Sequence, residues 1–121
     1  MKAVLMASAE IIDDLAARGF PVFYGAIGEN LTVSGLDPHL WRARQRYRLG
    51  QDAVIELTKL RAPCVNLNVY GPAIKAELYD ELCEARDFRS PCWALGGFYA
   101  RVIRTGIIQA GDAVVLLSNA A

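Results

Sequence analysis

The stretch Ile55-Glu56-Leu57-Thr58-Lys59-Leu60-Arg61-Ala62-Pro63-Cys64 begins with alternating apolar and polar residues and ends on a proline and a cysteine. The alternation predicts a β-strand with one buried face. Proline cannot donate to a sheet and biases the residue before it away from helix, so the strand must release the chain at Pro63. Cys64 is therefore the first side chain past the strand.

Cys64 has two interpretations. Arg61 lies three positions before it and carries a permanent charge. A nearby guanidinium favours the thiolate, which is the form that acts as a nucleophile or as a ligand for soft metals. Alternatively, Cys64 is one more buried apolar cysteine, as free cysteines usually are. These residues alone leave both interpretations open.

Composition excludes several classes of protein. The 121 residues predict one domain, residues 1–121, and 54% of them are hydrophobic, which is enough for a core. The net charge is zero, which argues against nucleic acid or a membrane as the main partner. No apolar run is long enough to span a bilayer, and the N-terminus does not resemble a signal peptide. Three cysteines without a CxxC spacing make a zinc site improbable and fit a reducing cytoplasm.

The remaining pattern predicts short strands joined by glycine turns, with few helices. Ser8 should cap a helix that ends at Gly19. The predicted strands are residues 2–7, 41–49, 53–60, 98–103 and 113–117, and a single amphipathic helix is predicted over residues 73–86. Such a chain is mostly β with a few helices (α+β), and a closed or half-open β-barrel would remove its sticky strand edges.

Two polar segments are candidate ligand surfaces. In residues 28–37, Asn30, Thr32 and Ser34 share one side and could form a wall for a polar ligand, although a solvated hairpin is equally compatible. Four arginines alternate along residues 41–49 and would form one basic face, which is either a phosphate site or a solvated surface. His39 is predicted to be a surface residue in a loop, and Cys83 is predicted to pack in the core.

Three stretches together resemble the MOSC domain, named for the C-terminal domain of molybdenum cofactor sulfurase. They are Gly28-Glu29-Asn30-Leu31-Thr32 with Gly35-Leu36, then Thr58-Lys59-Leu60-Arg61-Ala62-Pro63-Cys64, then Gly97-Phe98-Tyr99-Ala100-Arg101-Val102 with Gly106 and Gly111-Asp112. Each stretch alone is a weak signal, but their order and spacing span most of the chain.

The resemblance implies a barrel-like fold in which Cys64 ligates molybdenum or carries sulfur. Family members with known activity bind the pterin-based molybdenum cofactor and reduce N-hydroxylated compounds, and others are sulfurases. The family is also associated with pyridoxal phosphate binding. On matching positions, the cofactor-binding residues would be Asn30, Thr32, Arg61, Asn66 and Arg101, with a structural ion pair as the alternative for Arg101.

The sequence also departs from the family pattern. Family members usually have a further segment before the region matching Lys2, with a Gly-Asp and a His-Gly-Gly, and Asn66 stands where lysine is common. A shortened chain would have an incomplete barrel, so we expect a homo-oligomer or another partner chain at the open edge. Because no flavin, haem or iron–sulfur motif is recognisable, a reductase would need a separate electron-donor protein for its small-molecule substrate. The alternatives are a non-catalytic module that binds a small molecule or sulfur, and an oligomeric barrel without a ligand.

Overall fold

The computed structural model describes residues 3–63, 65–71 and 73–118, and for Val65 the backbone alone. Six strands are formed: β1 (Val4–Ser8), β2 (Leu31–Val33), β3 (Arg46–Leu49), β4 (Ala53–Leu60), β5 (Phe98–Arg104) and β6 (Val114–Ser118). Three helices are α1 (Ala9–Ala17), α2 (Ile74–Leu78) and α3 (Glu81–Glu84), and short 3₁₀ helices cover Pro38–Leu40 and Val65–Tyr70.

The strands form one mixed sheet in the order β2-β1-β5-β4-β3-β6. β1 and β2 are parallel, whereas the other neighbouring pairs are antiparallel. The sheet curves into a half-barrel that is open on one side, between β2 and β6. The expected fold class, mostly β with a few helices and an incomplete barrel, is confirmed.

The core has two parts that share the sheet. Met6, Leu57 and Phe98 belong to one buried cluster, together with Trp41 and Trp93. A second cluster holds α1 against the sheet and α2 through the apolar side chains of Ala7, Ile12, Leu15, Ile74 and Leu78. Burial of these side chains supplies the main stabilising free energy of the half-barrel.

The predicted limits of α1 are confirmed. The Ser8 hydroxyl accepts a hydrogen bond from the Ile11 N–H at 3.4 Å, which satisfies one of the free donors at the start of a helix. Gly19 follows the helix with φ of +101°, the left-handed conformation that ends many helices.

The strand predicted over residues 41–49 is wrong in its first half, because β3 begins only at Arg46. The Gln45 side chain is the physical reason. Its Oε1 accepts from the Arg42 N–H at 3.0 Å and its Nε2 donates to the Leu40 carbonyl at 2.9 Å, so the preceding segment folds around the buried amide. Arg44 has a left-handed φ of +75°, and the four arginines therefore do not form one basic strand face.

The single helix predicted over residues 73–86 is also wrong. α2 ends at Leu78, Tyr79 is extended, and α3 starts again after Asp80. The Asp80 carboxylate accepts from the Cys83 N–H at 2.9 Å and so caps the new helix. In one continuous amphipathic helix, Leu82 would share the apolar stripe of Ile74 and Leu78, but it is 41% exposed as a result of the break.

Residues 28–37 do not form the hairpin that one interpretation allowed, since β2 pairs in parallel with β1. His39 lies partly exposed in the 3₁₀ helix Pro38–Leu40, and its Nδ1 contacts the Asp37 carboxylate at 3.0 Å. Among the helices of the described segments, none has the length and apolar character needed to cross a membrane.

Candidate functional site at the end of β4

The candidate site lies where β4 releases the chain. β4 runs over Ala53–Leu60, as the sequence predicted, and the Arg61 N–H continues its pairing by donating to the Gly97 carbonyl at 3.1 Å. The 3₁₀ helix Val65–Tyr70 follows after Pro63. Cys64 lies outside the described residues, so its assignment as metal ligand and nucleophile stays a prediction.

Arg61 is buried at this strand end, with 7% of its surface exposed. Its Nη1 donates to the Gly96 carbonyl at 3.0 Å. Among residues 3–63, 65–71 and 73–118, no carboxylate forms an ion pair with this guanidinium. Taking a charge out of water costs several kcal/mol unless an opposite charge or strong acceptors compensate it, on the order estimated for buried ions. The remaining N–H groups of Arg61 are therefore suited to bind an anion.

The two glycines before β5 hold the main-chain partner of Arg61 in place. Gly97 has φ of +101°, and its N–H donates to the Ala94 carbonyl at 3.0 Å. A Cβ on Gly97 would lie 2.9 Å from Leu5 Cδ1 and 3.1 Å from the Met6 carbonyl oxygen. A Cβ on Gly96 would lie 3.3 Å from the Pro63 ring. Gly97 therefore needs to be glycine, whereas at Gly96 the Pro63 ring would have to shift by a few tenths of an ångström.

Asn66, the second predicted residue near Cys64, lies exposed in the 3₁₀ helix Val65–Tyr70. Its amide is thus two residues beyond Cys64 along the chain and open to solvent. In the chain, Arg61 precedes position 64 by three residues and Asn66 follows it by two, and their assignment as cofactor-binding residues stays a prediction.

Asn30 and Thr32 occupy a different place. The Asn30 Oδ1 accepts from the Leu5 N–H at 2.9 Å, and Thr32 Oγ1 donates to Glu29 Oε2 at 3.1 Å. Both residues line a cavity of about 380 Å³ at the open side of the half-barrel. β1 and β5 separate β2 from β4 in the sheet, so neighbouring strands do not bring these two side chains beside Arg61.

Arg101 is held by an ion pair, as the alternative interpretation expects. Its Nη2 lies 2.8 Å from Glu56 Oε2, and Arg46 Nε lies 3.0 Å from Glu56 Oε1. Hydrogen bonds from Arg46 and then from Arg101 lower the pKa of the Glu56 carboxyl below its ordinary value. The three side chains form a row across β3, β4 and β5.

We expect Glu56→Gln to weaken the acid dependence of stability. Because the pKa of Glu56 is lower in the folded chain than in the unfolded chain, its contribution is present above the ordinary value of 4.5 and is lost as the pH falls through the folded pKa. Thermal unfolding of both proteins between pH 7 and pH 3 should show a smaller loss of Tm in the variant. Glu81→Gln, on the exposed start of α3, is the control and should retain the wild-type dependence. An equal loss of Tm between pH 7 and pH 3 in the wild type and in Glu56→Gln would contradict the prediction.

The prediction that Cys83 packs in the core is confirmed, since its side chain is fully buried. Its Sγ donates to Ser90 Oγ at 3.3 Å, and Ser90 Oγ donates to the Asp80 carboxylate at 2.8 Å. Burial raises the pKa of the Cys83 thiol, and also that of the half-buried Cys92. Neither thiol has the lowered pKa that a reactive cysteine needs.

Sequence reasoning missed one polar side chain, Glu29, and one main-chain group, the Gly96 carbonyl. Glu29 is 8% exposed, and its Oε1 is one of two buried side-chain atoms in the described segments without a hydrogen-bond partner. It stands inside the Gly28-Glu29-Asn30 motif, so the motif itself was the available signal. No sequence pattern indicates that the Gly96 carbonyl accepts a hydrogen bond from Arg61, because the two residues are 35 positions apart.

No cluster of three His, Cys, Asp or Glu side chains that could hold a metal ion occurs within the part of the chain that the structure describes. The described residues alone therefore do not indicate a metal site. A metal bound through a single protein thiolate would need Cys64 as that ligand.

Comparison with known proteins identifies the class. The family model for the MOSC domain matches residues 1–115, and the chain belongs to the MOSC domain family. No curated protein matches the chain significantly.

Several solved structures share the fold of this chain. YiiM from Geobacillus stearothermophilus has a TM-score of 0.69 and 27% identity, over 95% of this chain and 54% of that one. YiiM from Escherichia coli has a TM-score of 0.67 and 23% identity, over 98% of this chain and 55% of that one. The YuaD protein from Bacillus subtilis has a TM-score of 0.67 and 19% identity, over 93% and 62%. The chain thus spans about half the length of the two YiiM structures.

Proposed function

We propose that this MOSC domain binds the molybdenum cofactor at the end of β4, with Cys64 as the metal thiolate. In this proposal it takes part in the reduction of N-hydroxylated compounds or in sulfur transfer to the cofactor. The observation that carries the proposal is the buried Arg61, which lies three residues before Cys64 and has no carboxylate partner in the described segments.

The residues present fit such a cofactor. The pterin carries a phosphate. The Arg61 guanidinium is buried and, among the described residues, its side chain donates only to the Gly96 carbonyl, and a guanidinium binds phosphate through paired, charge-assisted hydrogen bonds. The same positive charge favours the thiolate of Cys64, and a soft thiolate is a suitable donor for molybdenum. When bound, the cofactor supplies the redox chemistry, while this chain orients it and excludes water.

The other predicted residues enter the proposal differently. Asn66, exposed two residues past Cys64, can donate and accept hydrogen bonds to the pterin ring. Among the described residues, the side-chain amide N–H groups of Asn30 have no acceptor, whereas the Thr32 hydroxyl donates to Glu29. Contacts from Asn30 and Thr32 would come from the cavity at the open side of the half-barrel. We leave Arg101 out of the proposed site because Glu56 holds its guanidinium.

A second candidate function is a module that binds the cofactor, sulfur or a small anion without turnover. It is favoured by the open side of the half-barrel. Either function belongs to a reducing compartment such as the cytoplasm, as the three cysteines suggest. A reductase would also receive its electrons from a separate protein.

Turnover separates the two candidates. Protein purified from a host that makes the molybdenum cofactor should reduce a hydroxylaminopurine when an electron donor such as reduced methyl viologen is supplied. Cys92→Ser should retain this rate, and Cys64→Ser should lose it. Cofactor bound near one per chain without any turnover would favour the binding module. Reduction that persists in Cys64→Ser would contradict both assignments of Cys64.

A further inference from the structure

His39 is the single histidine of the chain, and it links two segments that are far apart in sequence. It lies in the 3₁₀ helix Pro38–Leu40. Its Nε2 lies 2.8 Å from the carbonyl oxygen of Pro91, which is 52 positions away. Pro91 is an exposed residue in a run of turns that we call the 88–97 loop. The histidine ring therefore connects the 3₁₀ helix directly to the outer corner of the 88–97 loop.

Both ring nitrogens of His39 face oxygen acceptors. Nδ1 lies 3.0 Å from Asp37 Oδ1, and Nε2 faces the Pro91 carbonyl. A carboxylate and a carbonyl accept hydrogen bonds and donate none, whereas a neutral imidazole has only one N–H to donate. The imidazolium has two, so it is the form that satisfies both contacts at once. Loss of the proton leaves the lone pair of one nitrogen against an oxygen atom.

The hydrogen bond lost on deprotonation should be the one to the 88–97 loop. Asp37 stays ionised wherever histidine titrates, because hydrogen bonds from the His39 main-chain N–H and then from its ring lower the pKa of the Asp37 carboxyl. A hydrogen bond to a charged acceptor is stronger than one to a neutral carbonyl. The neutral ring should therefore keep its proton on Nδ1, which faces Asp37, and turn the lone pair of Nε2 toward the Pro91 carbonyl.

We propose that His39 is a pH-sensitive latch, which fastens the 88–97 loop to the 3₁₀ helix Pro38–Leu40 when its ring is protonated and releases the loop when the ring is neutral. The bond to Pro91 is present in acid, and it is lost as the pH rises through the range of about 5 to 8 in which histidine exchanges its proton. The same loop carries the Gly96 carbonyl that accepts from Arg61, so the latch acts on a segment that borders the candidate site.

The other charged groups near this contact keep their charge through that range. Arg42 Nη1 donates to the His39 carbonyl at 2.7 Å, and a guanidinium stays protonated. On the loop, Arg89 pairs with Asp87 at 2.6 Å, and this pairing lowers the pKa of Asp87 to about 2. Burial raises the pKa of the Cys92 thiol, which stays neutral. Among these groups, His39 is the one that changes its charge.

Buried contacts hold the inner part of the loop at any pH. Trp93 Nε1 donates to the Trp41 carbonyl at 2.8 Å. At the start of the loop, Arg42 Cζ lies 4.1 Å from the centre of the Phe88 ring. Opening of the latch should therefore loosen the corner around Pro91 and leave the rest of the fold in place.

The test is amide hydrogen exchange of the whole chain, wild type and His39→Gln, read by mass spectrometry in peptides from the 88–97 loop. The N–H groups of Cys92 and Trp93 both donate to Ser90, so their exchange reports on opening of the loop. At about pH 5 the wild-type loop should exchange about threefold or more slowly than that of His39→Gln, as expected for one hydrogen bond. At about pH 8 the two should exchange alike. Peptides from α1 (Ala9–Ala17) are the control and should exchange at equal rates in both proteins.

The single histidine gives a second readout without a variant. Nitrogen NMR of the ring shows which nitrogen carries the proton. At about pH 5 both should carry one, and at about pH 8 the proton should be on Nδ1. Each of three results would overturn the proposal: equal loop exchange in wild type and His39→Gln in acid, a difference that persists unchanged when the ring is neutral, or a neutral ring with its proton on Nε2.

Discussion

Replacing Arg61 by methionine (Arg61→Met) is expected to lower the bound molybdenum cofactor at least about tenfold while the chain stays folded. The guanidinium is the buried positive charge that would meet the cofactor's phosphate, and losing one charge-assisted contact of roughly 1.5–3 kcal/mol gives a change of this size. Methionine fills much of the same volume. The substitution removes the hydrogen bond from Arg61 to the Gly96 carbonyl, which costs about 1 kcal/mol. It also removes a buried charge, and the desolvation free energy recovered in this way offsets that cost.

The matched control is Arg101→Met, which removes a guanidinium that pairs with Glu56 rather than one buried at the strand end. Cofactor content per folded chain and Tm should be measured for both variants. Arg101→Met should keep the wild-type cofactor content. Wild-type content in Arg61→Met would refute the anion-binding role of Arg61, and a loss of Tm by ten degrees or more would show that the guanidinium is mainly structural.

Gly97→Ala should destabilise the fold by about 2–5 kcal/mol, the sum of roughly 1–2 kcal/mol for a left-handed residue and roughly 1–3 kcal/mol for overpacking. The new Cβ would meet Leu5 Cδ1 at 2.9 Å and the Met6 carbonyl oxygen at 3.1 Å, where main chain cannot yield easily. For a chain of 121 residues this corresponds to a fall in Tm of roughly 8–20 °C. Because Gly97 also pairs with the Arg61 N–H, cofactor content should fall as well.

Gly111→Ala separates the two causes. Gly111 has a similar φ of +91°, but a Cβ there meets nothing within 4 Å. Gly111→Ala should therefore lower the free energy of unfolding only by the backbone strain, about 1–2 kcal/mol, and should leave the cofactor content unchanged. Denaturant unfolding of both variants gives the comparison, and equal losses would show that the close approach at Gly97 is unimportant.

Strands with clear alternation could be predicted from the sequence. β4 was predicted with its observed bounds because apolar residues alternate from Ala53 and Pro63 enforces the stop. The start of β3 and the break between α2 and α3 could not be predicted. Both depend on a polar side chain, Gln45 or Asp80, that bonds nearby main chain, and hydrophobic periodicity carries no sign of such a bond.

The candidate site could be predicted only in its local part. Arg61 is near Cys64 in sequence and is buried at the strand end as required, but its bond to Gly96 joins residues far apart in the chain. Arg101 was a matching position of the family pattern, and only the register between β4 and β5 shows that Glu56 faces it. The family pattern includes residues of both β2 and β4, but β1 and β5 lie between these two strands in the sheet.

The most direct test of the central claim is molybdenum and pterin analysis of the wild-type chain and Cys64→Ser, both purified from a host that makes the cofactor. Cys92→Ser is the control, because its thiol has a pKa raised by burial. We predict molybdenum near one per chain in the wild type and in Cys92→Ser, and background levels in a folded Cys64→Ser. Wild-type molybdenum in Cys64→Ser, or none in any of the three proteins, would contradict a cofactor site at the end of β4.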